Sequence, residues 1–378
     1  MSAPGTARGA AAACRRSRAL LLAALVCLPA AVSAAEQAPA ADQVAAEPVR
    51  AAEPAPLAAR GLLVAIASAG ERLVAVGDRG IIVTSDDRGA SWTQAEYVPS
   101  QALLTGVCFL DPQHGVAVGH DEVILTTADA GRTWKRTHYA PQALRPLLDV
   151  WCGTGNEAIA VGAYSAYLVS ADGGASWREL KFAPAAAPAA PGHAAATRAA
   201  APAAASAQAE EGAGGGYHLN RIVAADKGRL YMAGEAGHLY ASDDGGATWR
   251  TLASPYEGSF FGVLPLSGEA VLAFGLRGHL YRSENAGASW QPIETGTVAM
   301  LTGAAPCDAG AVAIVGLSGV VLVSRDGGRS FALVQQADRA GLSAVVAAGD
   351  ERLAVVGEDG AKLIGLAPAP GAARSASP

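Results

Sequence analysis

The chain has 378 residues, 51% apolar and only 16% charged, so a core of substantial size can be buried. Its formal net charge is −6, which argues against a general nucleic-acid partner, because such partners select basic faces. Gly 45 and Pro 21 are turn-rich counts; with the many apolar runs of four to six residues they predict short strands rather than helices.

Arg8, Arg15, Arg16 and Arg18 precede or open an apolar run from Ala19 to Ala31, and Val32-Ser33-Ala34 places small residues at a cleavage position. This predicts a signal peptide over residues 1–34 and an exported chain, periplasmic in a Gram-negative cell. The run is too short to cross a bilayer, which needs about 20 residues. Loss of the four arginines moves the net charge to −10. Residues 35–48 then read as a disordered linker. Three cysteines remain, Cys108, Cys152 and Cys307, in different repeats and without a CxxC pair. The plain reading is free thiols, with a single disulfide left open in an oxidising compartment.

From residue 49 to 366 the chain repeats. Five octapeptides end in Trp92, Trp134, Trp177, Trp249 and Trp290: SDDRGASW, TADAGRTW, SADGGASW, SDDGGATW and SENAGASW; a sixth, SRDGGRSF, ends in Phe331. Successive copies lie 42, 43, 72, 41 and 41 residues apart, and the long interval holds an Ala/Pro/Gly insertion at 182–216. That composition cannot bury enough apolar surface to repay ordering, so a disordered loop is predicted there. Before each octapeptide stand two apolar strands around a tight turn, as in LVAVG-DRG-IIVTS (73–85). A seventh copy, LAVVG-EDG-AKLIG (353–365), has no octapeptide, and residues 367–378 read as a disordered tail.

Strands apolar at consecutive positions are covered on both faces, as radially stacked sheets require. A period near 42 fits a four-stranded blade. The fold predicted is therefore all-β: a seven-bladed β-propeller of four-stranded blades. Because the last copy supplies only three strands, Val49–Glu53 is expected to supply the fourth strand of blade seven.

The octapeptide reads as a turn. Its third residue, Asp87, Asp129, Asp172, Asp244, Asn285 or Asp326, can accept backbone N–H bonds, Gly supplies an unusual conformation, and the terminal ring packs on a neighbouring sheet. Carboxylates spread evenly round a ring suit architecture better than catalysis or calcium binding. His238 and His279 occupy equivalent Gly-His-Leu-Tyr positions, yet no third metal ligand accompanies them. His120-Asp121-Glu122 is polar enough for acid–base chemistry, but no nucleophile motif goes with it. No catalytic residue, metal or cofactor is expected.

Six such octapeptides resemble those of the Asp-box (bacterial neuraminidase repeat) propellers. The sialidase branch is characterised by an Arg-Ile-Pro motif that this sequence lacks; a sialidase-like glycan-binding or glycosidase propeller is therefore the second reading. The chain is more similar to the photosystem II stability and assembly factor family, in blade count, Val-Gly-x-x-Gly strand pairs and octapeptides. That resemblance implies an exported, monomeric, non-enzymatic scaffold that binds a protein partner, a membrane-complex subunit, through a basic patch on one propeller face. Here the matching turns hold Arg79 and Arg277, but also Glu235, Glu358 and Asp359. The face opposite the octapeptides is expected to gather Arg79, Arg145, Arg277, Arg339, Tyr97, Tyr139, Tyr164 and Tyr256, with His120 beside them. Tyr and Arg are the side chains that anchor interfaces.

Overall fold

The computed structural model describes residues 49–186 and 216–366, apart from 308, 309 and 350. The predicted signal peptide, the linker 35–48, the tail and most of the Ala/Pro insertion lie outside the described residues.

Seven antiparallel sheets follow one another in chain order. Blade one consists of Leu63–Ala69, Arg72–Gly77, Ile82–Ser85 and Thr93–Gln94. Blades two to six repeat that order, with first strands Leu104–Phe109, Leu147–Cys152, Leu219–Ala224, Phe260–Pro265 and Leu301–Pro306. Blade seven has three strands among the described residues: Leu342–Ala347, Arg352–Gly357 and Gly360–Gly365. Each first strand touches the first strand of the next blade, and Leu63–Ala69 touches Leu342–Ala347. The ring is therefore closed: a seven-bladed propeller, all-β as the sequence predicts. Among the described residues no helix is long and apolar enough to cross a membrane.

The core lies between blades. One cluster joins Val74, Val76 and Ile82 of blade one to Leu104, Ala117, Leu125 and Trp134 of blade two. Another joins Ile159 and Tyr167 of blade three to Leu230, Tyr240 and Trp249 of blade four. The second strands, for example Val312–Gly316, are buried apart from Arg72 and Arg352 at the start of two of them, which is why their sequences run apolar without alternation. Each buried Val, Leu or Ile contributes about 1.5–3 kcal/mol.

Hydrogen bonds from the first strands stitch neighbouring blades around the axis. Thr105 Oγ1 donates to Leu147 O (2.7 Å), Asn220 Nδ2 to Phe260 O (2.8 Å) and Thr302 Oγ1 to Leu342 O (2.6 Å). Between blades three and four the stitch is a buried carboxylate: Asp149 accepts the Ile222 N–H (2.9 Å) and faces Arg221 (3.5 Å). Burial pushes the Asp149 carboxyl up, against the pull of Arg221 and two backbone N–H groups.

Three expectations change. Val49–Glu53 forms no strand on blade seven. Ala52 N–H donates to Val98 O (2.9 Å), and the Gln94 side chain clamps both sides of Pro54, donating to Glu53 O (2.9 Å) and accepting from Ala55 N–H (2.8 Å). Proline at 54 has no N–H to offer a ladder, and the Gln94 amide fixes the segment on blade one instead. Second, Cys108 and Cys152 are joined in a disulfide with Cα atoms 5.7 Å apart. They stand on the first strands of blades two and three, one period apart, so the repeat itself brings them together. Third, the insertion begins later than expected. Phe182 packs against Tyr167, Tyr240 and Trp249, and Ala185 bridges to Arg250.

Two stability changes follow. Trp249→Ala empties the contact between blades three and four and is expected to cost about 3–5 kcal/mol; a loss under about 1 kcal/mol in urea unfolding contradicts the packing. Replacing Cys108 and Cys152 by Ser is expected to lower stability by about 2–4 kcal/mol, given the 44-residue separation. An unshifted urea midpoint in the double variant contradicts the cross-link.

Candidate functional site

The octapeptide corners join third and fourth strands, so all six lie on one rim. In blade one, Ser85 Oγ donates to Asp87 Oδ1 (2.7 Å) and accepts the Gly89 N–H (2.7 Å). Asp87 also accepts the Ser91 N–H at Oδ1 (2.8 Å) and the Ser91 hydroxyl at Oδ2 (2.6 Å). The same bonds form at Asp129, Asp172, Asp244 and Asp326. At Asn285 the oxygen accepts from Ser283 and from the Ser289 N–H, and Nδ2 donates to Ser289 Oγ (3.0 Å). The knot thus forms without a charge, and each carboxylate commits both oxygens to its own turn.

These bonds favour the ionised form. The Ser91 hydroxyl and N–H hold Asp87 at about 2, and Ser176 does the same for Asp172. Burial works against ionisation at Asp129 and Asp326, but their hydroxyl and amide donors outweigh it. Thr248 lowers Asp244. The rings close the corners. The indole N–H groups of Trp92, Trp134 and Trp177 donate to the Gly carbonyl of their own turn, Trp249 to the Tyr167 hydroxyl (3.0 Å) and Trp290 to Ala253 O (2.9 Å). Phe331 packs in the cluster of blades five and six.

The opposite rim carries the turns between second and third strands and the links between blades. Six of these turns hold a non-glycine residue in the left-handed region: Arg79, Asp121, Tyr164, Ala236, Arg277 and Ser318. Such backbone costs roughly 1 kcal/mol per residue and persists because the turn is pressed on the next link. A Cβ at Gly80 would lie 2.0 Å from Ser100 O, and one at Gly278 2.1 Å from Thr297 O.

Of the residues expected on this face, Arg79 and Arg277 extend from equivalent turns, Arg79 with its side chain 85% exposed and 3.5 Å from Asp78. His120 and Arg339 are exposed in a turn and a link of the same rim. Tyr164 is half exposed and meets His218 edge-on (5.1 Å), and Tyr256 lies over His279 (4.2 Å). The other three are taken up in contacts, Tyr139 and Arg145 still beside the blade-two turn, where Ala140 N–H donates to Asp121 O (3.1 Å) and Arg145 meets Glu122. Tyr97 bridges to Thr133 at the octapeptide corner of blade two. Tyr139 is half-buried with its ring beneath the Arg136 guanidinium (4.4 Å). Arg145 is consumed in an ion cluster, 2.6 Å from the buried Glu122 and 2.8 Å from Glu179, with His138 3.4 Å from Glu122. The bond from Arg145 lowers the Glu179 carboxyl.

One residue of the rim escapes a reading by turns alone. Tyr217 is 49% exposed and stacks on His238 (3.9 Å), which stacks on Tyr240. Burial, with Tyr217 beside it, pushes the Tyr240 hydroxyl up to about 12. The repeated Gly-His-Leu-Tyr signals this ladder, since Tyr256, His279 and Tyr281 form its copy in blade five. Half-exposed or exposed Leu144, Val298 and Leu317 share the rim. Among the described residues no group of three or more His, Cys, Asp or Glu could hold a metal ion.

Residues 94–213 match the family model described as Photosynthesis system II assembly factor YCF48. The chain resembles that family. The structure of YCF48 bound to D1 peptide aligns with a TM-score of 0.61 over 86% of this chain and 97% of that chain, at 14% identity. YCF48 from Cyanidioschyzon merolae aligns with a TM-score of 0.61 over 83% and 97%, at 18% identity. The WD40 β-propeller domain of Doa1 aligns at 0.59 over 83% and 95%, at 10% identity. These likenesses establish the propeller fold. No curated protein matches the chain in sequence.

The depressed corner carboxyls set an acid limit. Their contribution to stability is complete above the unfolded value of about 4 and is lost as pH falls through about 2, the value held at Asp87 and Asp172. The urea midpoint is expected to fall between pH 5 and 2, and the paired Asp87→Asn and Asp172→Asn variant to fall less steeply. Parallel slopes contradict the corner assignment.

Proposed function

We propose that this chain is a non-enzymatic, exported scaffold whose turn rim binds another protein and assists assembly of a membrane complex. The observation that carries the reading is the asymmetry of the two rims. On one, polar groups are turned inward and knotted into six corners. On the other, Leu144, Tyr164, Tyr217, Val298 and Leu317 stand exposed amid charged turns, the mixture that marks interaction surfaces rather than solvated loops. Resemblance to the photosystem II assembly factor family supports the same role, as does the existence of a similar propeller described as bound to D1 peptide. A periplasmic address follows from the signal peptide read in residues 1–34. Against a glycosidase, the corner carboxylates are held by their own turns, with none free to pair across a cleft.

Site-specific photo-cross-linking in the host tests this reading. A cross-linker at Ser318 or Ala236, on the turn rim, is expected to trap a membrane protein, while one at Ala90 or Ala288, on the corner rim, is not. Equal trapping from both rims, or none from either, contradicts it. Turnover of an aryl glycoside by the purified chain would contradict the non-enzymatic role.

A further inference from the structure

The aromatic part of the turn rim is confined to blades three to five and has its own electrostatic character. Ser165 N–H and its hydroxyl both donate to Tyr217 O (3.0 and 3.2 Å), which sets Tyr217 beside the Tyr164 turn. Tyr164 meets His218 edge-on, and the His218 backbone N–H donates to Glu235 Oε1 (2.9 Å) with the ring Nδ1 3.7 Å from Oε2. Gly237 N–H donates to Gly258 O (3.0 Å), which brings the Tyr256-Glu257 link against the same turn. Glu235 remains about a third exposed and Glu257 is exposed. Among the described residues of these turns and links, from the blade-three turn at 163–166 through 216–218 and 235–238 to 252–259, there is no Lys or Arg. Among the described residues these segments therefore present two carboxylates and the faces of partly exposed tyrosines; the His218 ring lies 3.7 Å from Glu235, and Arg277 borders them at the blade-five edge, on the turn whose Leu276 N–H donates to Ser259 O (3.1 Å).

We propose that this patch, Tyr164, Tyr217, His218, Glu235 and Glu257, is the docking site for a cationic, extended peptide segment of the partner protein, one that presents Arg or Lys side chains. The inference rests on the protein-binding role and names the chemistry of its partner. Aromatic faces attract guanidinium and ammonium groups through the ring quadrupole, and the flanking carboxylates add charge complementarity, which steers and selects partners. The chain's overall acidity, −6, acts in the same direction at longer range. An acidic segment would meet Glu235 and Glu257, with no Lys or Arg among the five residues of the patch. Arg79 stands on blade one, whereas Arg277 borders the patch at its blade-five edge, on the turn that hydrogen-bonds Ser259.

The test uses the full exported chain and three fluorescein-labelled ten-residue peptides: Arg alternating with Ser, Glu alternating with Ser, and Ser alone, read by fluorescence anisotropy. The Arg peptide is expected to bind at least roughly tenfold more tightly than either other peptide, with affinity falling as salt rises. Tyr217→Ala and Glu235→Gln are each expected to weaken it roughly five- to tenfold. Tyr217→Phe, which keeps the π face, restores binding and shows that the alanine effect is not misfolding. Glu71→Gln, on the corner rim, leaves it unchanged. Equal or tighter binding of the Glu peptide, or an unchanged affinity in Tyr217→Ala, overturns the proposal. Cross-links confined to the turn rim together with no preference for the Arg peptide would remove the cationic segment and leave the scaffold role standing.

Discussion

A hydroxyl, a carboxylate or amide and a glycine N–H, tied together within five residues, recur at six corners of this molecule. Every larger feature depends on that knot. By holding Ser85, Asp87 and Gly89 in one hydrogen-bonded unit, and their counterparts in five other blades, it turns the chain sharply from third to fourth strand and aims an aromatic ring at a neighbouring sheet. Buried backbone donors must find partners, and here the partner is the first residue of the same octapeptide. The Asn285 copy keeps the geometry with a neutral group, so hydrogen bonding, rather than charge, is what the corner requires.

Once the corners are fixed, the blades can stack only through their apolar faces, and the ring closes without a fourth strand in blade seven among the described residues. Stitches at Thr105, Asn220, Thr302 and Asp149 tie first strands around the axis, and the Cys108–Cys152 disulfide adds a covalent tie between blades two and three. Polar and aromatic side chains that architecture does not use are left on the opposite rim. Recognition is accordingly expected there.

The blades were legible because a repeat multiplies its own signal: five Trp and one Phe, 41–43 residues apart but for the interval that holds the insertion, identify the corners, and unbroken apolar runs identify strands covered on both faces. The rim was only partly legible. Arg79, Arg277, Tyr164 and Tyr256 follow from strand order alone. Arg145 does not, because its partners Glu122 and Glu179 stand 23 and 34 residues away and meet it only through blade stacking. Tyr97 sits in a link whose path is decided by a bridge to the next blade. Tyr217 lay hidden at the end of a low-complexity insertion. The sequence leaves the disulfide open, because one-period spacing looks like separation, whereas in stacked repeats it means adjacency. A count of strands cannot foresee the clamp by which Gln94 holds Glu53 and Ala55 on blade one.

Native-state hydrogen exchange at the six corner glycines, Gly89, Gly131, Gly174, Gly246, Gly287 and Gly328, tests the architectural role of the corners most directly. Each donates its N–H to the first hydroxyl of its octapeptide. Protection comparable with that of the buried second strands is expected at all six, including Gly287 beside Asn285. Exchange at the rate of an open loop, at these glycines as a group, would contradict the account.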